Sequence, residues 1–276
     1  MNLNERYGPW ALIAGASEGT GSAFAKEVAV AGLNCILLAR REAPLQALAQ
    51  ELRNEFGVEV VAASVDLSAA DALEQIRTVV GGREVGLFIS NAGADSTNTR
   101  FLDSPLEAWV AQANRNVMNV IRCCHYFGSQ MRERKRGGMI LVGSGACYGG
   151  SSFMAVYAAT KAFDLNFGEG LWAELQPHGV NVLNLILGQT DTPAFRETLA
   201  KTGQPMPPNL AQPADVARAG LERLPHGPVH NWGLADDEAG YLPMSAAARR
   251  ARILAIDQVT KAIFGEDGAK QDGAKQ

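Results

Sequence analysis

Tyr157 and Lys161 stand four residues apart in Tyr157-Ala158-Ala159-Thr160-Lys161. That spacing puts a phenol and an ammonium on one face of a helix, one turn apart. A free tyrosine titrates at roughly pH 10, so it is a poor acid-base catalyst near neutrality unless a cation favours the phenolate. Lys161 supplies that cation, and the chemistry open to the pair is proton transfer. Alone, the spacing is also common on helix surfaces. Ser144 offers a different chemistry, nucleophilic attack, but Val142-Gly143-Ser144-Gly145-Ala146 lacks the G-x-S-x-G turn and none of the four histidines has a triad context.

A second group of residues could hold a phosphate. Gly15, Gly19 and Gly21 fall in Ala14-Gly15-Ala16-Ser17-Glu18-Gly19-Thr20-Gly21, at the start of an amphipathic segment. Such glycines permit a tight turn and bring backbone amides, here those of Ser17 to Gly21, close to a pyrophosphate at a helix N-terminus. The same run also reads as a plain turn. After the next apolar run, Arg40 and Arg41 stand where a carboxylate would hold the ribose hydroxyls of NAD(H). A guanidinium there suits the 2′-phosphate of NADP(H) instead. The other reading is that both arginines open a solvated helix, and Glu18 adds an opposing negative charge. Asp66-Leu67 and Asn91-Ala92-Gly93 follow two further apolar runs, at strand ends where such sheets bind ligands.

The elements that position these residues alternate. Short β-branched runs at 10–14, 34–39, 59–64, 86–90, 139–142 and 181–186 predict strands, with helices between them, as in repeated βαβ units with a parallel sheet. Ser104-Pro105-Leu106-Glu107 carries helix-start signals, and Ser68 with Asp71 repeats them. One long helix is expected over 155–175, ending near His178-Gly179. The proline-bearing stretch 193–212 reads as a flap that is neither strand nor long helix. Helices are expected over 213–224 and 245–264. Residues 1–265 are expected to form one domain, and the repeated Asp-Gly-Ala-Lys-Gln at 266–276 a disordered tail.

Composition narrows the partners. The chain has 276 residues, 47% hydrophobic, with a formal net charge of -4 and no basic stripe, so no nucleic-acid partner is expected. The N-terminus has no signal-peptide pattern and no apolar run reaches membrane-spanning length, so a cytoplasmic protein without a membrane partner is expected. Cys35, Cys123, Cys124 and Cys147 form no C-x-x-C pair and no zinc spacing; reduced thiols and no metal are expected.

Taken together, the order and spacing resemble the short-chain dehydrogenase/reductase family from Trp10 to about Pro193. The matching residues are Gly15, Gly19 and Gly21, Asp66, Asn91-Ala92-Gly93, Asn116, Ser144, Tyr157-x-x-x-Lys161 and Gly188 to Thr192. Ser144 precedes Tyr157 by 13 residues, and Asn116 lies seven past Trp109. The resemblance implies a Rossmann-like, doubly wound parallel sheet with helices on both faces. It implies an oxidoreductase interconverting a carbonyl and an alcohol. Tyr157 would exchange the proton, Ser144 would bond the same oxygen, Lys161 would assist Tyr157 and bind the nicotinamide ribose, and Asn116 would anchor a water beside Lys161. Thr190 and Thr192 would serve the nicotinamide amide. Ala14, Leu187 and Asn119 depart from the family pattern without removing a reacting group.

The expected substrate surroundings are Ala94, Gly145, Ala146, Cys147, Phe153, Met154, Gln189 and the flap. This apolar lining, with no Arg or Lys beside Ser144 or Tyr157 in sequence, predicts a neutral, moderately hydrophobic ketone or aldehyde. A 3-oxoacyl thioester reductase and a hydroxysteroid dehydrogenase are alternatives, and a catalytically idle NADP(H) sensor is the rival from another class. By the same resemblance a homodimer or homotetramer is expected, with Phe167 and Trp172 as candidate contact residues.

Overall fold

The computed structural model describes residues 3–95, 97–232, 258, 259, 261 and 262. The helix expected over 245–264 lies mostly, and the tail wholly, outside the described residues. In chain order the main elements are α1 (Leu3–Tyr7), β1 (Trp10–Ala14), α2 (Gly19–Val30), β2 (Asn34–Ala39), α3 (Glu42–Phe56) and β3 (Val60–Ser64). Then come α4 (Ala72–Val80), β4 (Val85–Ser90), α5 (Leu106–Ala113), α6 (Asn119–Arg134), β5 (Gly137–Ser144) and α7 (Ala155–Leu175). Last are β6 (Val180–Leu187), α8 (Pro193–Thr202), α9 (Pro213–Arg223) and β7 (Val229–Asn231).

The seven strands form one sheet in the order β3-β2-β1-β4-β5-β6-β7, every pairing parallel. The order reverses between β1 and β4, which opens a crevice at the strand C-terminal ends. A parallel sheet must be covered on both faces, and the strands are accordingly apolar on both. Ala11 and Ile13 of β1 face a core with Phe24, Val28, Leu45 and Leu221, whereas Trp10, Leu12 and Ala14 face a second core with Ile76, Phe127, Met131 and Leu175. The doubly wound arrangement is thus as the sequence implied. Among the described residues, no helix is long and apolar enough to cross a membrane.

Local chemistry moved several boundaries. Asp66 Oδ1 accepts hydrogen bonds from the Ser68 amide (3.0 Å) and hydroxyl (2.7 Å), so Ser68 turns the chain instead of starting a helix, and α4 begins after Asp71. Ser104 bonds the Thr99 hydroxyl, not a helix amide, and α5 starts at Leu106. The segment read as a flap contains the ten-residue α8: Thr192 Oγ1 accepts from the Phe195 amide, Pro193 occupies the first turn and Gly203 closes the helix with φ +67°.

Candidate active site

The glycine turn is built for close approach. A Cβ on Gly21 would stand 2.0 Å from Gly15 O, and one on Gly15, where φ is +84°, 2.8 Å from Ala92 N. Backbone bonds tie the turn to its neighbours: Gly15 N donates to Leu38 O (2.7 Å) and Ala92 N to Ala14 O (2.8 Å). Asn91 Nδ2 donates to Gly15 O at 2.9 Å. Around the turn lies a cavity of about 580 Å³ that brings together Gly15, Ser17, Glu18, Gly19, Thr20, Arg40, Arg41, Leu67, Asn91, Ala92, Gly93, Ala94 and Thr192. Gly21 is packed beneath it. The Asp66 carboxyl is turned toward Ser68, whose amide and hydroxyl hold it below the usual carboxylate range.

The residues fit a nicotinamide dinucleotide: glycine-made space, amides at the α2 N-terminus and basic side chains at the adenosine end. Arg41 is engaged with Glu18 (2.6 Å) and Ser17 Oγ (3.4 Å) at the exposed rim of the cavity that Arg40 also lines. Sequence reasoning missed Arg115, which also lines it. Its side chain is buried, donates to Asn116 Oδ1 (3.1 Å) and Ala94 O (2.9 Å), and is held below the ordinary arginine range by burial and by Arg40.

Arg115 and Asn116 follow one another in the π-helical turn Asn114–Met118, through which α5 passes into α6, and both are buried. The extra residue rotates both side chains inward, a common device at functional sites. Asn116 Nδ2 donates to Gly93 O (3.2 Å) and Thr160 Oγ1 (3.0 Å), which fixes it against α7. Ser144 ends β5 and its Oγ accepts from the Ala146 amide (3.2 Å), leaving the hydroxyl proton free to point elsewhere.

Tyr157 lies half-buried in the first turn of α7 and Lys161 is buried one turn later, its Nζ 6.0 Å from the Tyr157 ring centroid. Nζ reaches through to Val142 O at 2.8 Å, and a Cβ on Gly93 would meet it at 2.9 Å. The lysine therefore stands directly behind the cavity wall. Burial works against its charge, but Asp164, Tyr157 and the hydrogen bond to Asp164 outweigh it and hold the ammonium above the ordinary lysine value.

Gly145, Ala146 and Cys147 form a partly exposed 3-10 turn packed on α7. Phe153 is 2% exposed beneath the Arg100 guanidinium, 5.2 Å from its ring centroid, so a cation does lie near this lining although none is adjacent in sequence. Met154 is the residue before α7. Gly188 and Gln189 line a separate cavity of about 720 Å³ with Leu210, His230 and Trp232, the last two unforeseen. Thr190 Oγ1 donates to Gly188 O at 3.3 Å. Among the described residues, no group of three His, Cys, Asp or Glu side chains could hold a metal ion.

Comparison with known proteins agrees with this geometry. The short chain dehydrogenase family profile matches residues 9–203. The chain is 35% identical over 199 residues to the 7beta-hydroxysteroid dehydrogenase of Collinsella aerofaciens, covering 72% of this chain and 75% of that one. A solved structure concerned with 7beta-hydroxysteroid dehydrogenase stereoselectivity matches with TM-score 0.78 at 32% identity, covering 85% of this chain and 91% of the other. The Sphingobium yanoikuyae short-chain dehydrogenase in complex with NADPH matches with TM-score 0.75 at 26% identity, covering 97% and 99%. The chain therefore belongs to the short-chain dehydrogenase/reductase family and is a nicotinamide-dependent oxidoreductase acting on CH–OH and C=O groups.

Proposed function

We propose that the protein interconverts a neutral, moderately hydrophobic ketone and its alcohol using NADP(H), with an oxosteroid and its hydroxysteroid as the first pair to test. The observation that carries the reading is Lys161, buried behind Gly93 with Tyr157 one turn away. The likeness to 7beta-hydroxysteroid dehydrogenases supports the substrate class, and the NADPH complex of a related chain together with Arg40 supports the cofactor.

NADPH bound in the glycine-lined cavity would supply a hydride to the carbonyl carbon. The Tyr157 hydroxyl gives its proton to the carbonyl oxygen as that oxygen gains charge, and takes it back from the alcohol in the reverse direction. Ser144 donates a second hydrogen bond to the same oxygen. Lys161 holds a positive charge beneath both, and Asn116, fixed by Arg115, Gly93 and Thr160, braces the helix beside it. Thr192, on the wall of the glycine-turn cavity, is assigned with Thr190 and Gly188 to the nicotinamide side, and Gln189, which shares the second cavity with Gly188, to the substrate side with the 145–147 turn, Phe153 and Met154. Assembly through α6 and α7 as a homodimer or homotetramer is part of the same reading.

The test is initial-rate reduction of 3-, 7- and 17-oxosteroids, alkyl and aryl ketones, short keto acids and 3-oxoacyl thioesters, each with NADPH and NADH. Best turnover of an oxosteroid with NADPH is expected. A clear preference for the thioesters or for short keto acids would refute the substrate class, and NADPH binding without any turnover would make the protein a sensor.

A further inference from the structure

We propose that Asp164 is a positioning residue for the reaction: its carboxylate anchors Lys161 and keeps it charged in a buried setting. The proposal rests on the function above. Asp164 lies one turn beyond Lys161 on α7, with Oδ2 3.0 Å from Nζ and both side chains about 5% exposed. Its other oxygen, Oδ1, is buried and accepts no hydrogen bond among the described residues. An isolated buried carboxylate is costly, so this one depends on Lys161 for compensation, and Lys161 depends on it in turn.

Geometry gives the pair a direction. The ammonium has three protons; one goes to Val142 O at the end of β5 and one to Asp164, which leaves one for the cavity side, next to Gly93. The groups facing this pair are few. On α7 they are Tyr157 and the Thr160 hydroxyl, from the π-helical turn Arg115 and Asn116, and from α6 the Cys124 thiol, which Asp164 helps to hold protonated. Arg115 adds positive charge, so Asp164 is the anion that offsets both burial and Arg115 at Lys161. Without it, Lys161 surrenders its proton more readily, and the charge behind Tyr157 is lost at lower pH.

Asp164→Asn keeps the shape and removes the charge. The alkaline limb of kcat for carbonyl reduction should move to lower pH by about one unit or more, and Asp164→Glu should restore it. A packing role alone would lower kcat equally at every pH and leave the limb in place, which would overturn the proposal. A readout free of turnover is the titration of Lys161 by NMR with lysine labelled at ε-carbon with 13C, assigned through Lys161→Met. Lys161 should keep its charge beyond the ordinary lysine range in the native protein and lose it at a pH lower by about one unit or more in Asp164→Asn. Equal midpoints overturn the proposal, as does a native Lys161 that titrates between pH 6 and 9, a result that needs no folded variant. If no carbonyl is turned over, the proposed function fails while the titration still decides the role of Asp164.

Discussion

Gly21 offers the sharpest test of how the cofactor turn is built. An alanine methyl there would stand 2.0 Å from Gly15 O and 2.6 Å from Asn91 Nδ2, whereas ordinary contact begins at 3.4 Å. The carbonyl cannot retreat freely, because Gly15 N is bonded to Leu38 O at 2.7 Å and Asn91 Nδ2 already donates to that same oxygen. Overpacking of this kind costs about 1–3 kcal/mol, and the disrupted Asn91 bond adds about 1 kcal/mol. At about 2–4 °C per kcal/mol for a chain of this size, Gly21→Ala should lower Tm by about 5–15 °C. Because the turn must shift, NADPH affinity should fall at least about tenfold. The matched control is Gly170→Ala on α7, where a Cβ meets nothing within 4 Å; helix propensity should there raise stability by about 0.5–1 kcal/mol. Scanning calorimetry and fluorescence titration with NADPH measure both. A Gly21→Ala protein within 2 °C of the parent, binding NADPH equally well, would refute the steric argument.

Two other outcomes follow from the site. Arg40→Ala should weaken NADPH by about ten- to a hundredfold, the worth of a hydrogen bond to a charged group, and leave NADH nearly unchanged; parallel KM measurements decide it. Burial pushes the Cys35 and Cys123 thiols up to about 12 and Cys124 well above its ordinary value, while Cys147 is partly exposed. A thiol-specific disulfide reagent near pH 8 should therefore titrate one thiol per native chain and four after denaturation, and fast reaction of two or more native thiols would contradict the burial described.

Much of this architecture was legible because periodicity and glycine placement act locally. Six strands were placed within two residues at either end, and α7 was read with its observed bounds, since each carries an apolar run of the right length. The seventh strand escaped: Val229–Asn231 is three residues long, half-buried and at the sheet edge, with no apolar run to announce it. The α8 signals were present as Thr192, Pro193 and Gly203, yet proline content masked them. Arg115 and Asp164 were invisible for another reason. A charged residue in a helix ordinarily reads as a solvated face, and only tertiary packing shows that a π-helical turn directs one inward and that a lysine partner compensates the other.

The central claim is that Tyr157 exchanges the proton while the cofactor site stands independently of it. The direct measurement is NADPH oxidation with the best carbonyl substrate by the native protein and Tyr157→Phe, alongside NADPH affinity for each. The account predicts a fall in kcat of about 10²- to 10⁴-fold with affinity little changed. A Tyr157→Phe protein that keeps its native rate would contradict it.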